Sequence, residues 1–412
     1  MSPGQIVGKT WLCLIISFYS ATAQKYDLLI KGGHLIDPAS GISGIRDIAV
    51  TKGNIAKVAL SIDTSGAMKV INANGLYITP GFIDTHTHVF VGPGANLFAN
   101  GVNSVSADDF SFRSGVTTVV DAGTSGWRSF PVFKKQVIDQ SKTRILAFLN
   151  IAGDGMTGGA SEQNKEDMNA DSTAKMILEN PEIIVGVKIG HYSGKDWVPF
   201  ERAVSAAEKS RKPLFVECHL PEYPLEDQLA RMRPGDIITH SFENIPERMP
   251  IVGADGKLRP FVIAAKNRGV LFDLGHGGAG FWFNQAAPAA KQDFYPNSFG
   301  TDLHRFSMNS AMKDMLNVMS KFMALGLTLH DVILRATWNP AKALKHEELG
   351  NLREGSVADL VVLGVRDGEF GFADSGGNRI SGNKKLEAEM TIRQGKVVWD
   401  LNGMAAKRLT DH

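Results

Sequence analysis

Two cysteines in 412 residues leave little scope for disulfide chemistry. Cys13 sits in an apolar run near the start, so Cys218 is alone in the rest of the chain and no internal disulfide can form there. Long apolar runs are scarce as well. "WLCLIISFYS" (Trp11–Ser20) is short for a bilayer span, and no later segment is long and apolar enough to anchor the chain. An excess of one charge is also missing. With 44 Lys+Arg against 43 Asp+Glu, the formal net charge is +1, which gives no reason to expect nucleic acid or an anionic surface as partner. No internal repeat or low-complexity tract is present. No G-x-G-x-x-G follows the first strand-like run, which removes the usual support for a doubly wound dinucleotide fold.

What is present begins with a leader. Lys9, the apolar run and "ATAQ" (Ala21–Gln24) have the order of a secretory signal peptide over residues 1–23, cleaved after Ala23. An N-terminal strand or helix of the fold is the alternative. Lys9 is the only charged residue of that leader, so the remainder balances at 43 basic and 43 acidic residues. Export without disulfides fits a bacterial periplasm, with no membrane association after cleavage.

From Tyr26 the text is strand-like: "YDLLIKGGHLID", "RDIAVTKGNIAKVA" and "MKVINANGLYITPG" are β-rich runs divided by turn residues. Strand patterns return in "GSVADLVVLGV" (Gly355–Val365) and "EAEMTIRQGKVVWD" (Glu387–Asp400). The chain ends therefore predict one small β-sandwich domain from residues 24–79 and 346–403, with 404–412 as a tail. Residues 80–345 alternate short apolar runs with helical patterns such as "PFERAVSAAEKSR" (Pro199–Arg211). About eight such units over roughly 250 residues predict a (β/α)8 TIM-type barrel in an α/β fold.

"PGFIDTHTHVF" (Pro80–Phe90) ends a strand on two histidines. Period two puts His86 and His88 on one face, at the strand end where barrel active sites lie, and paired imidazoles suit a divalent metal. Alone the pair is weak. Other strand ends also finish in ligand types: "FVECHL" in His219, "IITHSF" in His240, "FGTDLH" in Asp302, and "VGVKIG" holds Lys188 in an apolar run. Each has a plain reading too: a satisfied core histidine, a solvated lysine, or an aspartate capping a helix begun by "DLHRFSMN".

These motifs together resemble the amidohydrolase superfamily, in particular its amidohydrolase/deacetylase metallohydrolases near the dihydroorotase and hydantoinase branch. "PGFIDTHTH", "VGVKIG", "CHL", "ITHSF" and "FGTDLH" are similar to that superfamily's successive strand motifs, and "RPGDIITHSFEN" and "FDLGHGGAGFWF" to the deacetylase-like branch. The resemblance implies two divalent metals, zinc first. His86, His88 and Asp302 would hold one and His219 and His240 the other, with Lys188 bridging as N6-carboxylysine. It also implies that Asp302 carries the proton in catalysis. The expected activity is hydrolysis of an amide or ester bond of a small molecule, as a deacetylase of an N-acyl or O-acyl compound. The alternatives are a cyclic amidase of dihydroorotase or hydantoinase type, and a metal-free non-catalytic homologue.

Further residues have two readings each. His276 in "LGHGG", and His191 and Tyr192 after Lys188, either touch substrate or are structural. Glu217 shares a strand face with His219 and either orients a ligand or forms an interior ion pair. "FWFN" (Phe281–Asn284) either walls the pocket or packs its loop. Cys218 reads as packing, His304 as a helical residue behind Asp302, and His34, His330, His346 and His412 as surface groups. A homo-oligomer is left open.

Overall fold

The computed structural model describes residues 25–91, 101, 103–157, 159–407 and 409. The expected leader and His412 lie outside these residues. No helix among the described residues is long and apolar enough to cross a membrane.

The middle of the chain forms a seven-stranded sheet whose strands lie in sequence order. They are Phe82–Thr87, Val116–Gly126, Arg144–Asn150, Ile184–Gly190, Leu214–Glu217, Ile237–Ile238 and Leu271–Phe272. Every neighbouring pair is parallel. Parallel neighbours require a crossover between strands, and helices such as Ala170–Glu179 and Val198–Ser210 supply it. The second helix carries the expected apolar stripe, with Phe200, Ala203, Ala206 and Ala207 buried. The later strands are shorter than their apolar runs, because the chain leaves the ladder to enter the site.

The expected eighth strand, Phe299–His304, is not a regular strand. It is held by isolated parallel bridges, Asp273 to Ser298 on one side and Thr87 to Leu303 on the other. Single backbone bonds reinforce it: His276 N–H to Gly300 O at 3.0 Å and His88 N–H to Leu303 O at 2.8 Å. No helix follows Asp302 directly. Residue 304 is a bend, residues 305–309 form turns, and the next α-helix is Met315–Ala324, so His304 is not helical and Asp302 caps no helix.

Both chain ends build a separate eight-stranded sheet. Tyr77–Pro80 joins its halves, lying parallel to Leu28–Asp37 and antiparallel to Leu360–Ala373. One apolar cluster contains Ile30, Ile48 and Ile78 together with Leu360, Val362 and Met390, so the two ends share a core. The chain then passes through Gly81 into the first parallel strand. A Cβ there would stand 2.2 Å from Thr117 Oγ1, so only glycine lets the two strands approach this closely.

A second buried cluster, with Ile83, Val120, Leu146, Phe148 and Phe215, lines the parallel sheet below its C-terminal strand ends. Phe148 and Phe215 stack at 4.4 Å, and Phe215 meets the His86 ring edge-on at 5.2 Å. Above this aromatic floor, buried Asp273 ties three strand ends together. It accepts from Thr85 Oγ1 (2.6 Å), Thr239 Oγ1 (2.8 Å), Ser298 Oγ (2.7 Å) and the Gly300 N–H (2.9 Å). Replacement by alanine strands these donors, at about 1–3 kcal/mol for each one left unpaired. Asp273→Ala is expected to lose more than about 3 kcal/mol in urea denaturation. A loss below about 1 kcal/mol would show that the donors find other partners.

Candidate metal centre

The strand ends converge as their spacing requires. The His86 and His88 rings lie 5.3 Å apart, and Asp302 Oδ1 stands 3.1 Å from His88 Nε2 and 3.5 Å from His86 Nε2. All three residues are buried. Their donor atoms form one group within 4.8 Å; His86, Glu217 and His240 form a second, and His191, Glu217 and His219 a third. Lys188 lies beneath, fully buried, with Nζ donating to Ala122 O at 3.0 Å and paired with Glu217 Oε2.

Glu217 is the residue that links these groups. Its Oε1 is 3.0 Å from His219 Nε2, 3.1 Å from His240 Nε2 and 3.3 Å from His191 Nε2, and its Oε2 is 3.5 Å from His86 Nε2. Of its two sequence readings, the interior ion pair is realised, in the middle of the donor cluster. His219 groups with His191 and Glu217 rather than with His240 alone, at the half-open rim of the site.

The outer hydrogen bonds fix which nitrogen each imidazole presents. His240 Nδ1 lies 2.6 Å from Gly275 O, which can only accept, so Nδ1 carries the proton. Thr239 Oγ1 donates to Asp273, so it must accept from His86 Nδ1 at 3.0 Å. His219 Nδ1 donates to the Glu243 carboxylate at 3.0 Å, and Glu243 is held in turn by Arg248 at 2.7 Å. Burial opposes the Glu243 charge, but His219 and Arg248 outweigh it and bring its pKa to about 2.

In the neutral tautomer, each of these three imidazoles therefore turns an Nε2 lone pair inward. Nε2 of His86 and of His240 are buried without a hydrogen bond. Burial, set against Asp302 and Glu217, lowers the His86 pKa to about 3, so that ring is neutral at pH 7. Lone pairs facing carboxylate oxygens at 3.0–3.5 Å repel unless a proton or a metal cation lies between them. Two donors bound tetrahedrally to a zinc-sized ion stand about 3.4 Å apart. The donor set and its orphaned nitrogens thus fit divalent metal.

His191 differs from its neighbours. Nδ1 meets Glu162 Oε1 at 3.2 Å, and its ring stacks on His219 at 5.8 Å. Burial opposes its charge, but Glu162 and Glu217 outweigh it and raise the pKa to about 10. Its two ring nitrogens are thus spent on the Glu162 and Glu217 carboxylates. His191, His240 and Asp302 all have positive φ, of 59°, 51° and 51°. Such strain costs about 1–3 kcal/mol per residue and concentrates at functional sites.

Other expectations do not meet the cluster. Tyr192 is buried, but its hydroxyl donates to Asp196 at 2.9 Å, away from the donors. His276 Nδ1 contacts Gly277 O at 3.0 Å, and Nε2 accepts from buried Lys321 Nζ at 2.7 Å, so both nitrogens are committed inside the fold. The glycines beside His276 do allow close approach, but of backbone to the site: a Cβ at Gly277 would stand 2.2 Å from Asp302 Oδ2. Phe281 of "FWFN" packs its loop against Phe242 and Phe322. Cys218 is buried, and burial pushes its thiol up to about 12, which leaves it inert. His346, expected at the surface, is buried and bonds Glu348 at 2.9 Å.

Sequence reasoning missed Glu243 and Asp273, which hold His219 directly and His86 through Thr239; Asp273 closes the apolar run before "LGHGG", and its role depends on partners from three other segments. "THSFEN" held a signal for Glu243, a carboxylate three residues past a ligand-type histidine. Partners of this kind change metal affinity about 10–100-fold. Glu243→Ala is expected to weaken metal binding by that factor in chelator competition. Unchanged affinity would show that His219 needs no such anchor.

The amidohydrolase family model matches residues 284–398. The chain is 30% identical over 341 residues to a deacetylase of Agrobacterium fabrum, covering 81% of each protein. It is 29% identical over 354 residues to a deacetylase of Brucella anthropi, covering 84% of this chain and 86% of that protein. Among solved structures, an adenine deaminase superposes with a TM-score of 0.82 at 29% identity, over 91% of this chain and all of that one. A dihydroorotase superposes with a TM-score of 0.80 at 26% identity, over 90% and 99%. With the converging donors, these likenesses place the chain in the amidohydrolase family.

Proposed function

We propose that this protein is a metal-dependent deacetylase that hydrolyses an N-acyl or O-acyl small molecule. The single observation that carries the metal chemistry is the set of buried imidazoles whose Nε2 atoms converge on Glu217 and Asp302. The deacetylase class is supported by the two relatives of that name, matched over most of their length. The cyclic-amidase reading is supported by the dihydroorotase likeness, and the substrate panel below separates the two.

His86, His88 and Asp302 would hold one ion, and His240 and His219 the other. Zinc suits imidazole and carboxylate donors. Bound divalent ions supply Lewis-acid polarisation of the scissile carbonyl and lower the pKa of the attacking water. Asp302 takes a proton from that water as it adds to the carbonyl, then delivers it to the leaving amine or alkoxide. His88, 3.1 Å from Oδ1, and Ser307, whose Oγ donates to Asp302 O at 2.7 Å, hold the carboxylate and its backbone in place.

Lys188 would bridge the ions as a carbamate. Its ammonium loses one proton, the neutral amine adds carbon dioxide, and a second proton leaves. Lys188 Nζ is fully buried at the centre of the donor cluster, 5.2 Å from the centroid of the Phe215 ring and paired with Glu217. The finer fold reading is a closed (β/α)8 barrel with a β-sandwich from the chain ends. It is supported by the bridges on both sides of residues 298–303 and by the shared core of the two ends. Export to a periplasm is supported by the composition of residues 1–23, and the N-terminal mass of protein recovered from that compartment tests it.

The substrate class is tested by assaying N-acetyl amino acids and O-acetyl acids against cyclic ureides. Faster turnover of the acetyl compounds supports the deacetylase, and preference for the ureides overturns it. Asp302→Asn is expected to lower kcat by roughly 10²–10⁴, the value of general acid–base help, while metal content falls less. Near-native kcat with full metal would remove Asp302 from the proton path.

A further inference from the structure

The resemblance to known metallohydrolases placed no role on Glu217, yet no side chain in the cluster has more of the candidate donors around it. We propose that Glu217 is itself a metal ligand, sharing an ion with His240. The inference rests on the metallohydrolase reading above and adds a donor to it.

Position comes first. Glu217 is the last residue of its strand, and its side chain is 5% exposed; His219 lies beyond the strand end and is 24% exposed. The deeper of the two same-face residues is therefore the carboxylate. Glu217 Oε1 lies 3.1 Å from His240 Nε2, and the His86, Glu217 and His240 donors fit within 4.8 Å of one another.

The tautomers come second. His240 and His219 spend their Nδ1 protons on Gly275 O and Glu243, so each directs its Nε2 at the same carboxylate oxygen, Glu217 Oε1. A structural ion pair between Lys188 and Glu217 needs none of this. One cation between Oε1 and the imidazoles satisfies all of them.

Charge comes third. Two divalent ions bring four positive charges, against one each from Asp302, a carbamate at Lys188 and a hydroxide. Glu217 is the fourth anion and makes the centre neutral, which a buried site favours. It also explains how Lys188 could become anionic beside a carboxylate: the pair changes from attraction to repulsion unless both face a shared metal.

The test is zinc content by plasma mass spectrometry after dialysis against a zinc buffer. It compares wild type, Glu217→Gln, Glu217→His, Lys188→Met and the Lys188→Met/Glu217→Gln double variant, with folding checked by near-ultraviolet circular dichroism. Glu217→Gln is expected to hold about one ion fewer per chain than wild type, and Glu217→His to recover it by supplying an imidazole donor. The double variant should hold less zinc than Lys188→Met. Equal zinc in those two would mean that Glu217 serves only Lys188, and it overturns the inference. Wild type without zinc would instead remove the metallohydrolase reading itself. If the glutamine variant does not fold, an anomalous difference map of zinc-loaded wild-type crystals settles the point. A peak bonded to a Glu217 oxygen supports the proposal; peaks elsewhere, with Glu217 still on Lys188, overturn it.

Discussion

One buried carboxylate at the meeting point of four imidazole nitrogens is the constraint around which the architecture of this protein is arranged. Glu217 lies within 3.5 Å of four histidine Nε2 atoms, each directed by a hydrogen bond on the far side of its ring or by strand geometry. Burying even one unpaired charge costs several kcal/mol, so such a cluster persists only where cations compensate it. Lys188 and His191 supply part of that compensation. Divalent metal at the inward-facing nitrogens would supply the rest.

The surrounding fold keeps the donors from relaxing away. Gly275 O pins His240, the Thr239–Asp273 pair pins His86, and the Glu243–Arg248 pair pins His219. Asp273 couples this ring anchoring to the strand framework, because the carboxylate that receives Thr239 also receives Thr85 and Ser298. The positive φ at His191, His240 and Asp302 shows that backbone comfort is given up to hold these side chains in place. Below, the fully buried Phe148–Phe215 stack packs against the His86 ring and forms an apolar floor.

Much of this was legible in the chain. Parallel strands buried on both faces read as apolar runs, so the runs carrying His86, Lys188, Glu217, His240 and Asp273 were visible, and period two aligned His86 with His88. What failed was local. Phe299–His304 has the composition of a strand but makes only bridges, since the chain turns into the site there. Tyr192 and His276 lie at the right end of the sheet, but their polar atoms are spent on Asp196, Gly277 and Lys321, and partners so distant in sequence leave no spacing signal. Glu217 and Glu243 were present in the motifs, but their meaning depends on which imidazole nitrogen faces inward, and that is a property of packing.

The central claim is that the converging donors hold divalent metal and that acyl hydrolysis depends on it. The direct measurement is to strip the protein with a chelator, return zinc in steps, and follow bound metal and N-acetyl hydrolysis on the same samples. The account predicts negligible turnover in the stripped protein and recovery in proportion to bound zinc. Full turnover in folded protein freed of metal would contradict it.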